Sequence, residues 1–171
     1  MSVTAFSAKD IAEIGVTDVS HLSEMTPNLM IMPNTGGDDG TLICMRGLCR
    51  TDFTITEDPM VGIYLDGVYI GKSIGSLFDM VSLERVEVLR GPQGTLFGRN
   101  TIGGAISITT LKPQPGGEFG GYVSGTTGTD DLLQLKGSLH LPLGETLAAR
   151  LTVADFNQDG YVERTDGVDL G

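Results

Sequence analysis

The sequence contains no tryptophan among its 171 residues, and none of its apolar runs is long enough to span a bilayer as a helix. A transmembrane helix needs about 20 consecutive, predominantly apolar residues, so the sequence excludes one. The first ten residues also lack the basic region and the long apolar core of a secretory signal peptide. We therefore expect neither a helical membrane anchor nor a leader within this chain.

Basic residues are scarce as well, with 11 Lys and Arg against 22 Asp and Glu, and the formal net charge is −11. Nucleic acids and anionic lipid surfaces attract basic proteins, so this balance argues against both as partners. The 25 glycines are unusually many and are spread among short apolar runs without a fixed period. That distribution indicates turns between strands rather than long helices.

Cysteine is nearly absent, since only Cys44 and Cys49 are present, flanking a Met-Arg-Gly-Leu tetrapeptide. A disulfide requires Cα atoms within about 7 Å, and Gly47 allows the tight turn that this needs. Two free buried thiols fit the sequence equally well, so the disulfide stays open. A metal site at the two cysteines would lack further ligands, because His21 and His140 belong to distant segments.

The most distinctive segment runs from Leu83 to Lys112, where two apolar strands enclose a glycine-rich turn. The pattern predicts strands over Arg85–Leu89 and Gly104–Thr110, with the turn over 91–104 packed against a neighbour. The turn has no lysine where a Walker phosphate loop requires one. No acidic residue follows at the spacing of a dinucleotide-binding fingerprint. We expect no nucleotide and no other cofactor.

Two sequence patterns resemble parts of catalytic sites, but neither has the partner residues or the geometry that catalysis requires. Gly71–Gly75 has the spacing of a hydrolase nucleophile elbow, but it follows a hairpin strand and has no evident aspartate–histidine partner. Glu84 and Glu87 lie three residues apart on a predicted strand, where their side chains should point to opposite faces. The chain is therefore predicted not to be an enzyme.

The remaining elements upstream of residue 112 complete a small α+β unit. They are two short helices within 7–26 capped by Ser7 and Thr17, strands at Leu29–Met32 and Thr41–Arg46, a hairpin over Val61–Ile70, and a helical turn at Ser76–Met80. The hairpin is the clearest of these, because its Asp66-Gly67 dipeptide favours a type I′ turn.

Composition changes at residues 113–117, Pro-Gln-Pro-Gly-Gly, and beyond them apolar and polar residues alternate. In Asp131–Leu141, one strand face carries Leu133, Leu135, Leu139 and Leu141, and the other carries Gln134, Lys136, Ser138 and His140. Leu147–Phe156 repeats the pattern after a short turn. An outward apolar face with an inward polar face is typical of outer-membrane barrel strands. An ordinary sandwich hairpin, with its apolar face in a core, is the alternative and is favoured by the alternation alone.

Two segments together, LERVEVLRGPQGTLFGRNTIGGAISITTLK (Leu83–Lys112) and DPMVGIYLDGVY (Asp58–Tyr69), resemble the plug domain of TonB-dependent outer-membrane receptors. The resemblance runs in order through residues 2–171. It implies an α+β plug domain, a small mixed sheet with short helices, at 1–112 and a linker at 113–117. The first antiparallel strands of a transmembrane β-barrel would follow at 118–171. It also reverses the preference between sandwich and barrel, and it implies that a leader and a TonB box lie upstream.

The resemblance implies a receptor in the outer membrane of a Gram-negative bacterium. Such a receptor binds a scarce substrate, most often a ferric siderophore or similar chelate, and imports it into the periplasm with energy transmitted by TonB. TonB, outer-membrane lipid and the substrate are the expected partners. Ligand contacts are expected in the apical plug loops, at Arg46, Arg50, Phe53, Lys72 and Ser73. Contacts between plug and barrel are expected at Glu84, Arg85, Glu87, Arg90 and Arg99. On residue chemistry alone, these charges equally suit a solvated edge strand.

A competing pattern near the C-terminus resembles an EF-hand calcium loop. Its oxygen-bearing residues are Asp155, Asn157, Asp159, Glu163 and Asp166, with Gly160 where the loop turns sharply. The last position holds Asp166 instead of a bidentate glutamate, and the preceding segment alternates like a strand. We expect no metal site. The rival to a receptor is a small soluble periplasmic binding module with a calcium-binding loop of this kind.

Overall fold

The computed structural model describes residues 2–14, 21–33, 41–49, 58–71, 82–128 and 132–157. The chain divides into two compact units, Met1–Leu111 and Lys112–Gly171. In these described ranges, no helix has the length and apolar character needed to cross a membrane.

The first unit is built on a five-stranded mixed sheet. In chain order its elements are β1 (Ser2–Ser7), α1 (Ala8–Ile14), α2 (Leu22–Met25), β2 (Leu29–Pro33), β3 (Thr41–Met45), β4 (Val61–Leu65), β5 (Val68–Ile70), β6 (Leu83–Arg90), α3 (Gly94–Phe97) and β7 (Gly104–Thr110). The sheet order is β1-β6-β7-β4-β5, and β2 pairs with β3 in a separate two-stranded sheet. The β4–β7 pair is parallel, whereas β1–β6, β6–β7 and β4–β5 are antiparallel.

The core of the first unit lies on one face of this sheet. Val86 and Val88 are fully buried, and they pair with Ile108 and Ile106 across the β6–β7 ladder. Alternate residues of a strand share a face, which places all four side chains on the same side. The buried cluster also draws on α1, α2, β2 and β3, and its members are Phe6, Ile11, Leu22, Leu29, Ile31, Met45, Val61, Ile63, Leu83, Val86, Val88, Ile106 and Ile108.

The strand β1 was not expected from the sequence, although the helix that follows it was. In β1 only Phe6 is buried, so its residues carry little of the periodic apolar signal that identifies a strand. Its pairing with β6, from Ser2 opposite Arg90 to Ser7 opposite Arg85, supplies the missing stabilisation. That pairing joins residues far apart in sequence, which local patterns do not reveal.

Ser7 caps α1 as predicted. Its Oγ accepts a hydrogen bond from the Asp10 backbone N–H at 3.3 Å, and the Asp10 carboxylate accepts from the Ser7 backbone N–H at 2.9 Å. This reciprocal arrangement satisfies two backbone donors at the helix start. The hydrogen bond from the Ser7 side chain, and then that from its backbone, lowers the pKa of Asp10 below its ordinary value of 3.8.

We expect this cap to weaken in acid. Because the folded pKa of Asp10 is depressed, its stabilising contribution is complete above the ordinary value of 3.8 and is lost as the pH falls through the lower folded pKa. Amide exchange of α1 followed from pH 6 to pH 2 should accelerate in this window beyond the intrinsic dependence. Asp10→Asn should remove that extra dependence, whereas an unchanged profile in this variant would contradict the assignment.

The second predicted helix is short, spanning Leu22–Met25 with His21 at the N-cap position. Thr17, the predicted cap, and the predicted helical turn at Ser76–Met80 lie outside the described residues. The predicted strands β2 and β3 are confirmed to within one residue at their C-terminal ends.

The β4–β5 hairpin has the turn predicted from its Asp-Gly dipeptide. Asp66 and Gly67 have φ values of 50° and 83°, both in the left-handed region that a type I′ turn requires. The Asp66 carboxylate accepts hydrogen bonds from the Thr110 backbone N–H at 2.9 Å and from the Thr110 hydroxyl at 2.7 Å. The turn is thereby fixed to the end of β7.

The two cysteines form a disulfide, which settles the alternative left open by the sequence. Arg46 and Gly47, with φ values of 54° and 78°, make a second two-residue turn, and Met45 and Leu48 exchange both backbone hydrogen bonds across it. Cys44 and Cys49 then face each other as the next pair, with Cα atoms 4.3 Å apart. That separation is close to the value of about 4.5 Å for a non-hydrogen-bonded antiparallel pair.

The second unit contains a three-stranded antiparallel sheet in the order β10-β9-β8. Its strands are β8 (Gly120–Thr127), β9 (Leu133–Pro142) and β10 (Ala148–Asn157). The predicted alternation of apolar and polar residues is present. The apolar face is the exposed one, which is the reverse of a sheet in a water-soluble protein. Gln134 and Ser138 are 3% and 5% exposed, whereas Leu151 and Val153 are each 60% exposed. Aliphatic side chains on one face of this sheet are thus exposed, together with Asp155 and Asn157 at the end of β10, while Gln134 and Ser138 on the other face are buried.

Candidate functional site

The glycine-rich turn is an ordered loop at one end of the five-stranded sheet, and residues 91–103 are called the glycine loop below. Its base is closed by two backbone hydrogen bonds, from Gly91 N–H to the Gly103 carbonyl at 2.9 Å and from Gln93 N–H to the Thr101 carbonyl at 3.0 Å. The short helix α3, which was not predicted, forms its outer part. Gly103 N–H donates to the Met60 carbonyl at 2.9 Å, so the loop is also tied to the start of β4.

An aromatic cluster holds the glycine loop on the face of the sheet opposite the main core. The ring of Tyr64 lies 4.8 Å from that of Phe97 and 5.5 Å from that of Tyr69. The Tyr64 hydroxyl donates a hydrogen bond to the Phe97 carbonyl, and Asn100 Nδ2 donates to the Tyr69 hydroxyl at 2.9 Å. Burial, and after it the electrostatic interaction with Tyr69, raises the pKa of Tyr64 above its ordinary value of 10.0.

These tyrosines were not among the predicted site residues. The two apolar strands around Asp66-Gly67 in DPMVGIYLDGVY identify a hairpin. A sequence does not show which distant loop the face of such a strand will contact. Only the pairing of Tyr64 with Tyr69 across β4–β5 was accessible, through the turn register.

We expect Tyr64→Phe to destabilise the first unit by about 1 kcal/mol, because it removes the hydroxyl donor and leaves the ring packing intact. The free energy of unfolding in urea measures this. The matched control is Tyr122→Phe, since Tyr122 lies on β8 with 44% of its surface exposed and should tolerate the change. Equal unfolding free energies for the two variants would show that the hydroxyl of Tyr64 does not hold the loop.

The predicted contact residues Glu84, Arg85 and Glu87 form a half-exposed charged cluster. The register of β6 against β7 is irregular between Leu83 and Arg85, so the simple alternation assumed for the two glutamates does not hold here. Arg85 lies 3.9 Å from the Glu84 carboxylate and 3.5 Å from that of Glu87. Exposed pairs of this kind contribute little stability, typically below about 1 kcal/mol, which leaves the cluster available to a partner surface.

Arg90 and Arg99, predicted in the same role, differ from that cluster and from each other. The Arg90 guanidinium donates to Ser2 Oγ at 2.8 Å, Thr4 Oγ1 at 3.0 Å and the Pro27 carbonyl at 3.1 Å. Arg90 therefore ties β1 to the turn before β2 within the first unit. Arg99 is exposed on the glycine loop.

Of the predicted ligand residues, only Arg46 falls in the described ranges. It lies at the tip of the disulfide hairpin, and its guanidinium faces Gly91: a Cβ built on that glycine would stand 3.1 Å from Arg46 Nη1. Arg50, Phe53, Lys72 and Ser73 lie outside the described residues.

The strand β4 begins, and the strand β5 ends, at the same end of the sheet as the glycine loop. The two predicted apical loops adjoin these strand ends. Val61, the first residue of β4, pairs with Gly104, and Gly104 pairs with Arg90. Ile70, the last residue of β5, pairs with Ile63 beside them. The loop that leads to β4 and the loop that leaves β5 therefore join the sheet at this same end.

The calcium-loop pattern is not supported where the structure describes it. Asp155 and Asn157 lie inside β10, paired with Leu135 and Leu133, and not at the end of a helix as an EF-hand requires. Asp159, Glu163 and Asp166 lie outside the described residues. The described ranges contain no group of three or more His, Cys, Asp or Glu side chains arranged to hold a metal ion.

The buried face of the second unit carries a polar network. Arg150 Nη1 lies 3.2 Å from Ser138 Oγ, and the same hydroxyl is 3.2 Å from Thr152 Oγ1. Gln134 and His140 lie on the same face of β9, since alternate residues share a face. These groups line the side of the sheet away from its apolar surface.

The known proteins that this chain matches indicate a single protein family. A family model described as the TonB-dependent receptor plug domain matches residues 1–105. The pesticin receptor of Yersinia enterocolitica is 34% identical over 148 residues, covering 86% of this chain and 21% of the relative. The vitamin B12 transporter BtuB of Photobacterium profundum is 24% identical, covering 96% of this chain and 26% of the relative.

Among solved structures, the ferric yersiniabactin uptake receptor FyuA from Yersinia pestis superimposes with a TM-score of 0.87 at 33% identity. The match covers 99% of this chain and 26% of that protein. The chain thus spans roughly a fifth to a quarter of the length of the relatives it matches.

Proposed function

This chain belongs to the TonB-dependent receptor family, whose plug domain it contains, and we propose that it forms part of an outer-membrane importer. In this proposal residues 1–112 are the plug, 113–117 a linker, and 118–171 the first strands of the barrel that surrounds the plug. Barrels of this class have about 22 strands and a plugged lumen. In this proposal the complete importer acts as a receptor and transporter and not as an enzyme.

The observation that carries the proposal is the reversed polarity of the β8–β10 sheet. On one face of this sheet, large aliphatic side chains of the described residues are at least 42% exposed: Val123, Leu133, Leu135, Leu151 and Val153. Soluble proteins rarely expose a contiguous apolar face of this kind, whereas a strand in a lipid bilayer requires one. The buried Ser138 hydroxyl and the partly buried Thr152 hydroxyl and Arg150 guanidinium of the opposite face suit the polar interior of a barrel.

For the substrate, we infer a ferric siderophore or a chelate of similar size. Relatives above 30% identity include proteins named as a pesticin receptor and as a ferric yersiniabactin uptake receptor, which supports an iron chelate in particular. The sheet end that carries the glycine loop is the proposed binding side. There Arg46, Arg50, Phe53, Lys72 and Ser73 would contact the ligand, since cationic side chains pair well with anionic chelates.

Three further contacts complete the proposal. Glu84, Arg85 and Glu87 are half-exposed and would meet charged groups on the barrel wall, and Arg99, exposed on the glycine loop, is a further candidate. Arg90 would act indirectly, by fixing the N-terminal strand β1. TonB would engage the protein and supply the energy for import.

Radiolabelled uptake tests the function. The complete protein that contains this chain would be expressed in a Gram-negative strain without siderophore receptors and supplied with a panel of iron-55 chelates. We expect accumulation of at least one chelate, falling to background in an otherwise identical strain without TonB. Protein found in the soluble fraction, together with background uptake of the whole panel, would refute the proposal.

A further inference from the structure

Three residues enclosed by the Cys44–Cys49 disulfide lie against the ends of the glycine loop. Met45 is fully buried beside Gly104, so closely that a Cβ built on the glycine would stand 2.2 Å from the methionine Sδ. Arg46 Nη1 and Leu48 Cβ would stand 3.1 Å and 3.4 Å from Cβ atoms built on Gly91 and Gly103. The disulfide hairpin therefore touches both chain segments that enter and leave the loop.

The first strand of this hairpin is the end of β3, whose Cys44 and Met45 pair with Met30 and Leu29 of β2, so the disulfide acts mainly on the turn and on the returning residues Leu48 and Cys49. Met45 and Leu48 exchange hydrogen bonds of 3.1 and 3.0 Å, and Arg46 N–H donates to the Asn28 carbonyl at 2.8 Å. A two-stranded hairpin of this length is marginal in water without a further constraint. A disulfide supplies that constraint by removing open conformations from the ensemble, and here it joins the pair directly behind the turn.

We propose that the Cys44–Cys49 disulfide is a redox-sensitive clamp on the glycine loop. With the bond intact, the hairpin holds Arg46 and Leu48 against the loop base. A dithiol reductant breaks the S–S bond by transferring two electrons and two protons, which yields two cysteine thiols and the oxidised cyclic dithiol. Cys44 is 3% exposed but Cys49 is partly exposed, so the bond can be attacked from the Cys49 side. After reduction the hairpin opens and the loop base loses its packing, while the sheet itself stays folded.

Hydrogen exchange tests the clamp directly and does not depend on whether the protein transports anything. The complete protein that contains this chain would be purified with the disulfide intact and then treated with dithiothreitol, with alkylation confirming both thiols. The reporters are the amides of Gly91, Gln93 and Gly103, which donate within and below the loop. We expect their exchange to accelerate about tenfold on reduction, because local opening limits their protection. The Asp66 amide, which donates to the Ile108 carbonyl at the other end of the sheet, should not change.

A matched variant separates the bond from side effects of the reductant. Cys44→Ser combined with Cys49→Ser should exchange like the reduced protein and should not respond to dithiothreitol. Unchanged exchange across residues 91–104 after verified reduction would overturn the clamp. So would an equal acceleration at Asp66, because it would show that the disulfide stabilises the whole unit and not the loop.

Discussion

A valine at position 104 should prevent the first unit from packing normally. Gly104 has a φ of 151°, and a Cβ built there would stand 2.3 Å from the Leu89 carbonyl oxygen as well as 2.2 Å from Met45 Sδ. The carbonyl belongs to the neighbouring strand and cannot move without breaking the β6–β7 ladder. Overpacking of this kind typically costs 1–3 kcal/mol, and we expect about 3 kcal/mol or more because backbone is involved. That is a large part of the 5–15 kcal/mol that stabilises a typical domain.

Limited proteolysis and urea unfolding of the complete protein measure this effect, with Gly94→Ala as the matched control. Gly94 starts α3, and a Cβ built there meets no atom within 4 Å. We expect a change within about 0.5 kcal/mol for the control, as for other surface substitutions. A Gly104→Val protein as protease-resistant as the control would contradict the packing described here.

The second large effect is expected on the apolar face of the second unit. Leu151 pairs with Leu139 near the middle of β10 and is 60% exposed. If this face meets lipid, Leu151→Arg should cost about 2–4 kcal/mol, the range measured for a cation near the bilayer midplane. The amount of folded protein in the outer membrane should fall accordingly. If the face met water, the same substitution should change stability by less than about 0.5 kcal/mol.

Leu151→Met is the control for this prediction, because it keeps the volume and the apolar character of the side chain. It should leave the outer-membrane level unchanged. Normal levels of folded Leu151→Arg protein in the outer membrane would show that Leu151 does not face lipid. The soluble-module reading of the second unit would then regain support.

Local patterns predicted the elements whose signals are local. The Asp66-Gly67 turn, the Ser7 cap and the β9–β10 alternation all follow from a few adjacent residues, and all three are present. The fold class and the receptor family were accessible for a different reason. The glycine-rich segment combines residue types that few other structures require together.

Features that depend on distant pairing were not accessible. The strand β1 is stabilised by β6, whose paired residues are far away in sequence (Ser2 with Arg90, Ser7 with Arg85), and the tyrosine cluster depends on how the glycine loop folds back onto β4. The sequence also could not identify which glycine is packed tightly. Gly98 does have a positive φ of 79°, but a Cβ there meets no atom within 4 Å, whereas Gly104 has no such space. The composition of the turn shows that glycines are needed there. Only the tertiary contacts show at which position a larger residue would clash.

The central claim is that the second unit presents its apolar face to lipid, as part of a receptor in the outer membrane. Nitroxide labels at Leu151→Cys and at Glu145→Cys, which lies in the exposed turn before β10, would be examined in outer membranes by their collision rates with oxygen and with a water-soluble nickel chelate. The native disulfide keeps Cys44 and Cys49 from reacting with the label. We predict that the label at position 151 collides mainly with oxygen and the label at 145 mainly with the nickel chelate. Equal access of the nickel chelate to both positions would contradict the claim.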